Sequence, residues 1–190
     1  MQLKIYDNKI LAPLKHGTRF LDKIFQSYKE CPIIDLYKWK EMDVWFIYRN
    51  PEEHLISALH TEIINRDASN MSVSDVIKGF VGEKGTTHWN KDILQRLSMY
   101  WSTADKDKFK VVELNHLSDL LIELGYEVPK YNPIEYEFNH IEGWVTKQDI
   151  ALMVERDFPK EWEYLMDVVK SEMEYYYKLN NKIVIPTKFI

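Results

Sequence analysis

Apolar residues in the first part of the chain follow two spacings, one typical of strands and one typical of helices. Residues 3–6 and 9–14 are apolar runs on either side of Asp7-Asn8, which predicts a short hairpin or a bend between two strands. Residues 17–29 then carry apolar side chains one and four positions apart, which predicts an amphipathic helix. The run PIIDLY, residues 32–37, predicts a further strand.

The strongest strand signal is DVWFIYR, residues 43–49. Its nearly unbroken series of aromatic and β-branched residues is typical of a strand buried on both faces. Asn50 and Pro51 end this strand, and Pro51 followed by two glutamates suits the first turn of a helix. The apolar face of that helix comprises Leu55, Ile56, Leu59 and Ile63.

The remainder of the chain alternates helix and strand as far as residue 125 and is mainly helical after that. A strand is predicted at 109–117 and a helix at 118–125. Ser118 is the predicted N-cap of this helix, and Gly125 is its C-terminal stop. Residues 66–90 form a looser glycine-containing region with a short predicted helix near 72–80, and a further helix is predicted at 91–101. Two helices are predicted within 147–179, with a break near Phe158-Pro159. A short strand or extended arm is predicted at 181–190.

This order of elements predicts the fold class. Strands that alternate with helices indicate an α/β fold with a mainly parallel central sheet, here with a helical C-terminal third. No internal repeat or linker is evident, so we expect residues 1–190 to form a single domain.

Composition excludes several classes of function. The formal net charge is −5, and no basic face of the kind that a nucleic-acid binder needs is evident. Cys31 is the one cysteine, which excludes a disulfide within the chain and a cysteine-based zinc site. The N-terminus lacks the features of a signal peptide, and no run reaches the roughly 20 apolar residues of a membrane span. We therefore expect a soluble, cytoplasmic protein.

The turn KHGTR at residues 15–19 is a candidate phosphate site. It lies between a predicted strand and a predicted helix, where backbone N–H groups and the helix dipole favour an anion. Gly17 allows close backbone approach, and Lys15, Thr18 and Arg19 add charge and donors. The pattern G-x-x-x-x-G-K-S/T of nucleotide-binding P-loops is absent, and an ordinary turn with surface charge explains the stretch equally well.

The segment YRNPEEHLISALH, residues 48–60, repeats the order of strand, polar turn and helix. Arg49 comes at the carboxyl end of the strand, where open α/β sheets bind ligands. Arg49 and Ser57 could hold a second phosphate, the arginine as a bidentate fork. Alternatively, Arg49 pairs with Glu52 or Glu53, and Ser57 fills a small gap.

Taken together, the two segments resemble the donor-binding motifs of sulfotransferases. KHGTR resembles the 5′-phosphosulfate loop P-K-x-G-T-S/T, and YRNPEEHLISALH resembles the 3′-phosphate motif R-D/N-P-x-x-R-x-x-S. His88-Trp89 is similar to the H-W segment of carbohydrate sulfotransferases, and VVELNHLSDLL to their E-x-L-x-x-x-L segment. The resemblance covers about residues 9 to 127. Leu14, His16, Arg19 and His54 depart from the family pattern.

The resemblance implies a P-loop-like fold in three layers and a donor, 3′-phosphoadenosine 5′-phosphosulfate, that is used without a metal. Sulfuryl transfer needs alignment and compensation of charge on the leaving group. By resemblance, Lys15 is catalytic and contacts the 5′-phosphate and the bridging oxygen. The donor site would comprise Lys15, His16, Gly17, Thr18 and Arg19 at the 5′-phosphate, and Arg49 and Ser57 at the 3′-phosphate. The acceptor is a hydroxyl group, with a carbohydrate as one candidate.

The general base is harder to assign. The family usually supplies a histidine or glutamate from between the two phosphate motifs, but residues 20–48 contain no histidine. Asp35 is the preferred carboxylate there, and His88 is a candidate from outside the region. The other candidates in the region are Asp22, Glu30, Glu41 and Asp43.

Two other functions remain open. A non-catalytic descendant of the same fold could bind a nucleotide or a partner. A phosphotransferase of the P-loop class is a further alternative, although no clear aspartate for Mg²⁺ follows a strand. The histidines show no spacing for metal ligation, so no metal site is predicted.

Overall fold

The structure is a computed structural model that describes residues 2–32, 43–65, 70–83, 85–86, 88–128 and 145–180. It confirms the α/β class. None of the helices in these ranges combines the length and the apolar composition needed to cross a bilayer.

A five-stranded sheet forms the centre of the fold, in the order β3-β1-β2-β4-β5. The central strands β2, β4 and β5 pair in parallel, whereas β1 pairs antiparallel with both β2 and β3. The sheet is therefore mixed, and the prediction of a mainly parallel sheet is corrected for its β1–β3 edge. The strands are β1 (Gln2–Tyr6), β2 (Ile10–Pro13), β3 (Lys29–Pro32), β4 (Val44–Tyr48) and β5 (Phe109–Glu113).

Seven α-helices surround the sheet in the described ranges. The predicted helices of the C-terminal third are confirmed over its described residues 145–180, including the break at Phe158, where one helix ends and Pro159 begins the next. The helices are α1 (Thr18–Ile24), α2 (Pro51–Ile64), α3 (Val73–Val81), α4 (Ile93–Thr103), α5 (Leu117–Glu123), α6 (Lys147–Asp157) and α7 (Pro159–Asn180).

The predicted hairpin is confirmed, and its turn residues Asp7 and Asn8 both have positive φ, at 48° and 52°. Three boundaries differ from the predictions. The strand predicted at 32–37 shares only Pro32 with the observed strand β3, which is Lys29–Pro32. Residues 33–37 lie outside the described residues. Helix α1 ends at Ile24 rather than near residue 29.

The third difference concerns Ser118, which is not an N-cap. A 3₁₀ turn over Leu114–His116 leads directly into α5, which begins one residue earlier, at the fully buried Leu117. Gly125 does follow the last turn, with φ 84°, as predicted for a helix stop.

Helices cover the sheet on both faces, and alternate strand residues point to opposite sides. Phe46 and Tyr48 of β4 pack in a cluster that also holds residues of α4 and α7. Ile47 packs on the other face with residues of α1 and α5. The described part of the chain thus forms three layers. A separate cluster joins α2 to α3, α6 and α7 through Leu55, Leu59 and other apolar residues.

Candidate functional site

The two motif segments meet at one edge of the sheet. Strands β2 and β4 are parallel neighbours, with Ile10 opposite Trp45 and Leu11 opposite Phe46, so their carboxyl ends lie side by side. The turn with Lys15 follows β2, and Arg49 follows β4. Arg49 Nη1 donates a hydrogen bond of 3.0 Å to the backbone carbonyl of Lys15. This contact joins the two segments, which the resemblance assigns to one donor site.

The turn after β2 has an unusual backbone. Lys15 has φ 68° and Gly17 has φ 81°, both in the left-handed region. A β-carbon on Gly17 would lie 2.7 Å from Leu114 Cδ1 and 2.9 Å from Leu117 Cδ2. Only glycine fits there without displacing these side chains or straining the backbone. Lys15 does carry a side chain in this region, and such strained residues cluster at functional sites.

Thr18 and Arg19 begin α1 directly after this turn. The Thr18 side chain is buried, and its backbone carbonyl accepts a hydrogen bond of 3.2 Å from the Tyr6 hydroxyl. Arg19 is half-buried. The first residues of α1 are therefore fixed against β1.

Arg49 is held between the turn and helix α2. Its side chain is only 3% exposed, and its Nε lies 3.3 Å from Glu53 Oε2. The alternative interpretation of Arg49, a pair with a first-turn glutamate, is therefore confirmed. Asn50 caps the same helix, because its side-chain oxygen accepts hydrogen bonds from the backbone N–H groups of Glu52 and Glu53.

Helix α2 buries polar side chains as well as its apolar face. His54, Ser57 and Thr61 recur at intervals of three and four residues and so lie on one face of the helix. Ser57 is 3% exposed, and the Thr61 hydroxyl donates to its backbone carbonyl over 3.1 Å. A polar face of this kind needs partners other than water. His54 has its partners in His16 and in the segment around His88, whereas Thr61 bonds back to its own helix.

His16 and His54 form a buried pair with ring centroids 4.5 Å apart in an edge-to-face arrangement. His16 Nδ1 lies 3.1 Å from the carbonyl of Ile47, so Nδ1 carries the hydrogen and Nε2 is an acceptor, for which the described residues provide no partner. In this tautomer the His16 imidazole offers an anion no donor. His54 Nε2 donates to the carbonyl of His88 over 2.9 Å.

Both rings are neutral. Burial, the neighbouring His54 and the Arg49 charge hold the pKa of His16 well below its usual range. Burial, with a further contribution from Arg49, lowers the pKa of His54 to about 3. His54 takes the place of the second arginine of the family motif, and in this chain it binds the His88 segment instead.

Positive charge collects around His60, farther along α2. His60 Nε2 donates to the carbonyl of Val145 over 2.9 Å. Burial lowers the pKa of His60, and the charges of Lys147, Lys15 and Arg19 lower it further. Cations from the turn, from α1 and from the start of α6 therefore all act electrostatically on His60.

The candidate bases fall into four groups. Asp35 and Glu41 lie outside the described residues, and Glu30 is exposed on the edge strand β3. Asp22 forms an ion pair of 2.8 Å with Lys4, and Asp43 one of 2.7 Å with Lys110, so both are engaged away from the turn. His88 Nδ1 lies 2.6 Å from Glu62 Oε1, near the end of α2.

Glu62 was not among the predicted site residues. It lies 26 positions before His88, and no local spacing connects the two. The Glu62 pKa is lowered, first by the hydrogen bond to His88 and more weakly by the charge of Lys15. Glu62 thus links His88 electrostatically to the turn after β2.

In the ranges that the structure describes, no group of three or more histidine, cysteine or acidic side chains is arranged to hold a metal ion. Comparison of the chain with known protein families, with curated proteins and with solved structures found no match.

Proposed function

We propose that this chain is a sulfotransferase that moves a sulfuryl group from 3′-phosphoadenosine 5′-phosphosulfate to a hydroxyl acceptor. The observation that carries the proposal is the hydrogen bond of 3.0 Å from Arg49 Nη1 to the Lys15 carbonyl. It supports a single site in which the two segments with donor-motif resemblance act together. A donor with separate 5′- and 3′-phosphates needs two such adjacent groups of ligands.

The charges at this edge of the sheet suit a doubly phosphorylated ligand. Lys15 is 8% exposed and Arg49 is 3% exposed, so both cations act in surroundings of low dielectric constant, where they bind anions strongly. Lys147 and Arg19 add to the positive potential near His60. In this proposal Lys15, Gly17, Thr18 and Arg19 bind the 5′-phosphate.

Arg49 and Ser57 would bind the 3′-phosphate, as the resemblance implies. Both side chains come from the β4–α2 unit, in which the Asn50 cap fixes the start of the helix. Ser57 lies on the buried polar face of α2 that also carries His54. When bound, the donor supplies the sulfuryl group, and Lys15 compensates the charge that develops on the leaving phosphate.

Among the base candidates that the structure describes, His88 is the general base in this proposal. Its ring is 28% exposed, so an acceptor hydroxyl can reach it. A positioned base of this kind typically contributes about 10² to 10⁴ in rate. The acceptor is specified only as a hydroxyl compound, whose hydroxyl group would lie against both Lys15 and His88.

The test follows thermal stability during titration with 3′-phosphoadenosine 5′-phosphate and, separately, with ATP and Mg²⁺. At 100 times its dissociation constant, a ligand of the native state adds about 2.7 kcal/mol of stability. We expect such a rise with the bisphosphate and little change with ATP. A flat response to the bisphosphate would refute the donor site, and a rise only with ATP and Mg²⁺ would favour a phosphotransferase.

The control compares two arginines. Arg49→Ala removes the side chain proposed to bind the 3′-phosphate. Arg96→Ala removes a guanidinium of α4 that pairs with Asp92, the residue before that helix. Loss of about 3 kcal/mol of binding, usual for a removed charge partner, would reduce the stabilisation to about 0.3 kcal/mol. Each variant is compared with its own ligand-free sample, and an undiminished response of Arg49→Ala would exclude the assignment.

A further inference from the structure

Helix α2 holds His88 at two points. Glu62 Oε1 lies 2.6 Å from the ring nitrogen Nδ1, and His54 Nε2 donates to the backbone carbonyl over 2.9 Å. The backbone N–H of His88 also donates to Thr86 Oγ1 over 3.3 Å. Ring and backbone are therefore both fixed, although His88 belongs to the glycine-containing segment between α3 and α4.

The bond to Glu62 determines the tautomer of His88. An ionised carboxylate accepts hydrogen bonds only, so Nδ1 must carry the hydrogen. When the ring is neutral, Nε2 then holds the lone pair. Among the described residues no hydrogen-bond partner of Nε2 is found, and the ring is 28% exposed. Nε2 is thus the nitrogen available to a substrate.

Lys15 interacts electrostatically with the two residues that hold His88. Its charge helps to lower the pKa of Glu62, after the larger effect of the hydrogen bond to His88. It also helps to lower the pKa of His54, where burial and Arg49 have larger effects. These electrostatic contributions connect the turn after β2 with the two contacts that hold His88.

We propose that Glu62 is a positioning residue that keeps His88 in the Nδ1–H tautomer, with Nε2 directed to the acceptor hydroxyl. This inference rests on the proposed sulfuryl transfer. His88 Nε2 takes the hydroxyl proton while the acceptor oxygen forms its bond to sulfur. The bond between sulfur and the bridging phosphate oxygen breaks, and its electron pair leaves with 3′-phosphoadenosine 5′-phosphate. Glu62 stabilises the imidazolium that results and is not itself protonated.

The first test needs neither donor nor acceptor. Long-range ¹H–¹⁵N NMR spectra of the full chain report which ring nitrogen of each histidine carries hydrogen, and a His88→Gln sample identifies the His88 signals. We expect the Nδ1–H tautomer in the unmodified chain. An Nε2–H tautomer there would overturn the inference without any variant.

Two glutamate variants extend this test. Glu62→Ala should shift His88 toward the Nε2–H tautomer, because the acceptor for Nδ1–H is gone. Glu52→Ala removes an exposed carboxylate from the first turn of the same helix and should leave the tautomer unchanged. An equal spectrum for Glu62→Ala and the unmodified chain would show that Glu62 does not set the tautomer.

The second test measures release of 3′-phosphoadenosine 5′-phosphate from the donor in the presence of a mixture of monosaccharides. Glu62→Gln keeps an acceptor for Nδ1–H but loses the charge, so we expect kcat to fall about tenfold with KM for the donor unchanged. His88→Gln should lower kcat by about 10²-fold. Unchanged turnover in both variants would remove His88 as the base.

The failure of this inference differs from failure of the proposed function. If 3′-phosphoadenosine 5′-phosphate does not stabilise the unmodified chain, the donor site is wrong, whatever the tautomer of His88. If the bisphosphate stabilises Glu62→Gln and the unmodified chain equally while the tautomer is Nε2–H in both, the donor site stands and Glu62 has no positioning role.

Discussion

Replacing Gly17 by alanine tests the close contact between the proposed donor loop and the core. The left-handed φ of 81° costs an alanine about 1–2 kcal/mol. Its β-carbon would also lie within 2.7 Å of Leu114 and 2.9 Å of Leu117, and overpacking of this kind costs about 1–3 kcal/mol. These two leucines are side-chain contacts that can shift, so we expect an overpacking cost of about 2 kcal/mol.

Gly125→Ala is the matched control. Gly125 has φ 84°, but a β-carbon there meets no atom within 4 Å. Both variants have the same left-handed strain and the same loss of entropy in the unfolded chain, so the difference between them isolates the packing term. Urea unfolding should show Gly17→Ala to be less stable than Gly125→Ala by about 1–3 kcal/mol, at equal m-values. Equal stabilities would refute the packing of the loop against Leu114 and Leu117.

Three further predictions concern stability. Burial raises the pKa of Glu172 to about 7, so the native chain keeps a proton that the unfolded chain releases. Stability should therefore fall as pH rises from about 4.5 to 7, and Glu172→Gln should flatten that fall in urea titrations. His54 has the opposite sign: burial lowers its pKa from 6.5 to about 3, so stability should fall as pH drops through that window, less so in His54→Gln. Asn50→Ala removes the acceptor for the N–H groups of Glu52 and Glu53 and should cost about 1 kcal/mol.

Each of these predictions has its own contrary result. A pH dependence that is identical in Glu172→Gln and the unmodified chain would mean that the carboxyl group titrates normally in the fold. If His54→Gln loses as much stability in acid as the unmodified chain, the His54 imidazole titrates normally in the fold. An Asn50→Ala chain that is as stable as the unmodified one would show that the cap of α2 contributes nothing.

The alternation of strand and helix in the sequence correctly predicts the α/β class and the segments that flank the site. The segment VWFIY within DVWFIYR is an unbroken apolar and aromatic run because β4 is covered by helices on both faces. The antiparallel pairing of β3 with β1 was not predictable in the same way. Strand β3 carries Lys29 and Glu30, both exposed, and such an edge strand has no periodic apolar signal.

Local patterns identify Lys15 and Arg49 because each follows a predicted strand. They do not identify the contacts between segments far apart in sequence. Glu62 and His88 are 26 positions apart, and His54 reaches the His88 carbonyl across 34. An amphipathic helix is expected to expose its polar face, but α2 buries His54 because the turn after β2 and the His88 segment cover that face.

The central claim is that Arg49 and Ser57 bind the 3′-phosphate while the turn after β2 binds the 5′-phosphate. Calorimetric titration of the unmodified chain and of Ser57→Ala, each with 3′-phosphoadenosine 5′-phosphate and with adenosine 5′-monophosphate, tests it most directly. The account predicts that Ser57→Ala weakens binding of the bisphosphate by about tenfold, as expected for one lost hydrogen bond to a charged group, and leaves binding of the monophosphate unchanged. The account would be contradicted if Ser57→Ala weakened the binding of both ligands equally, or weakened the binding of neither.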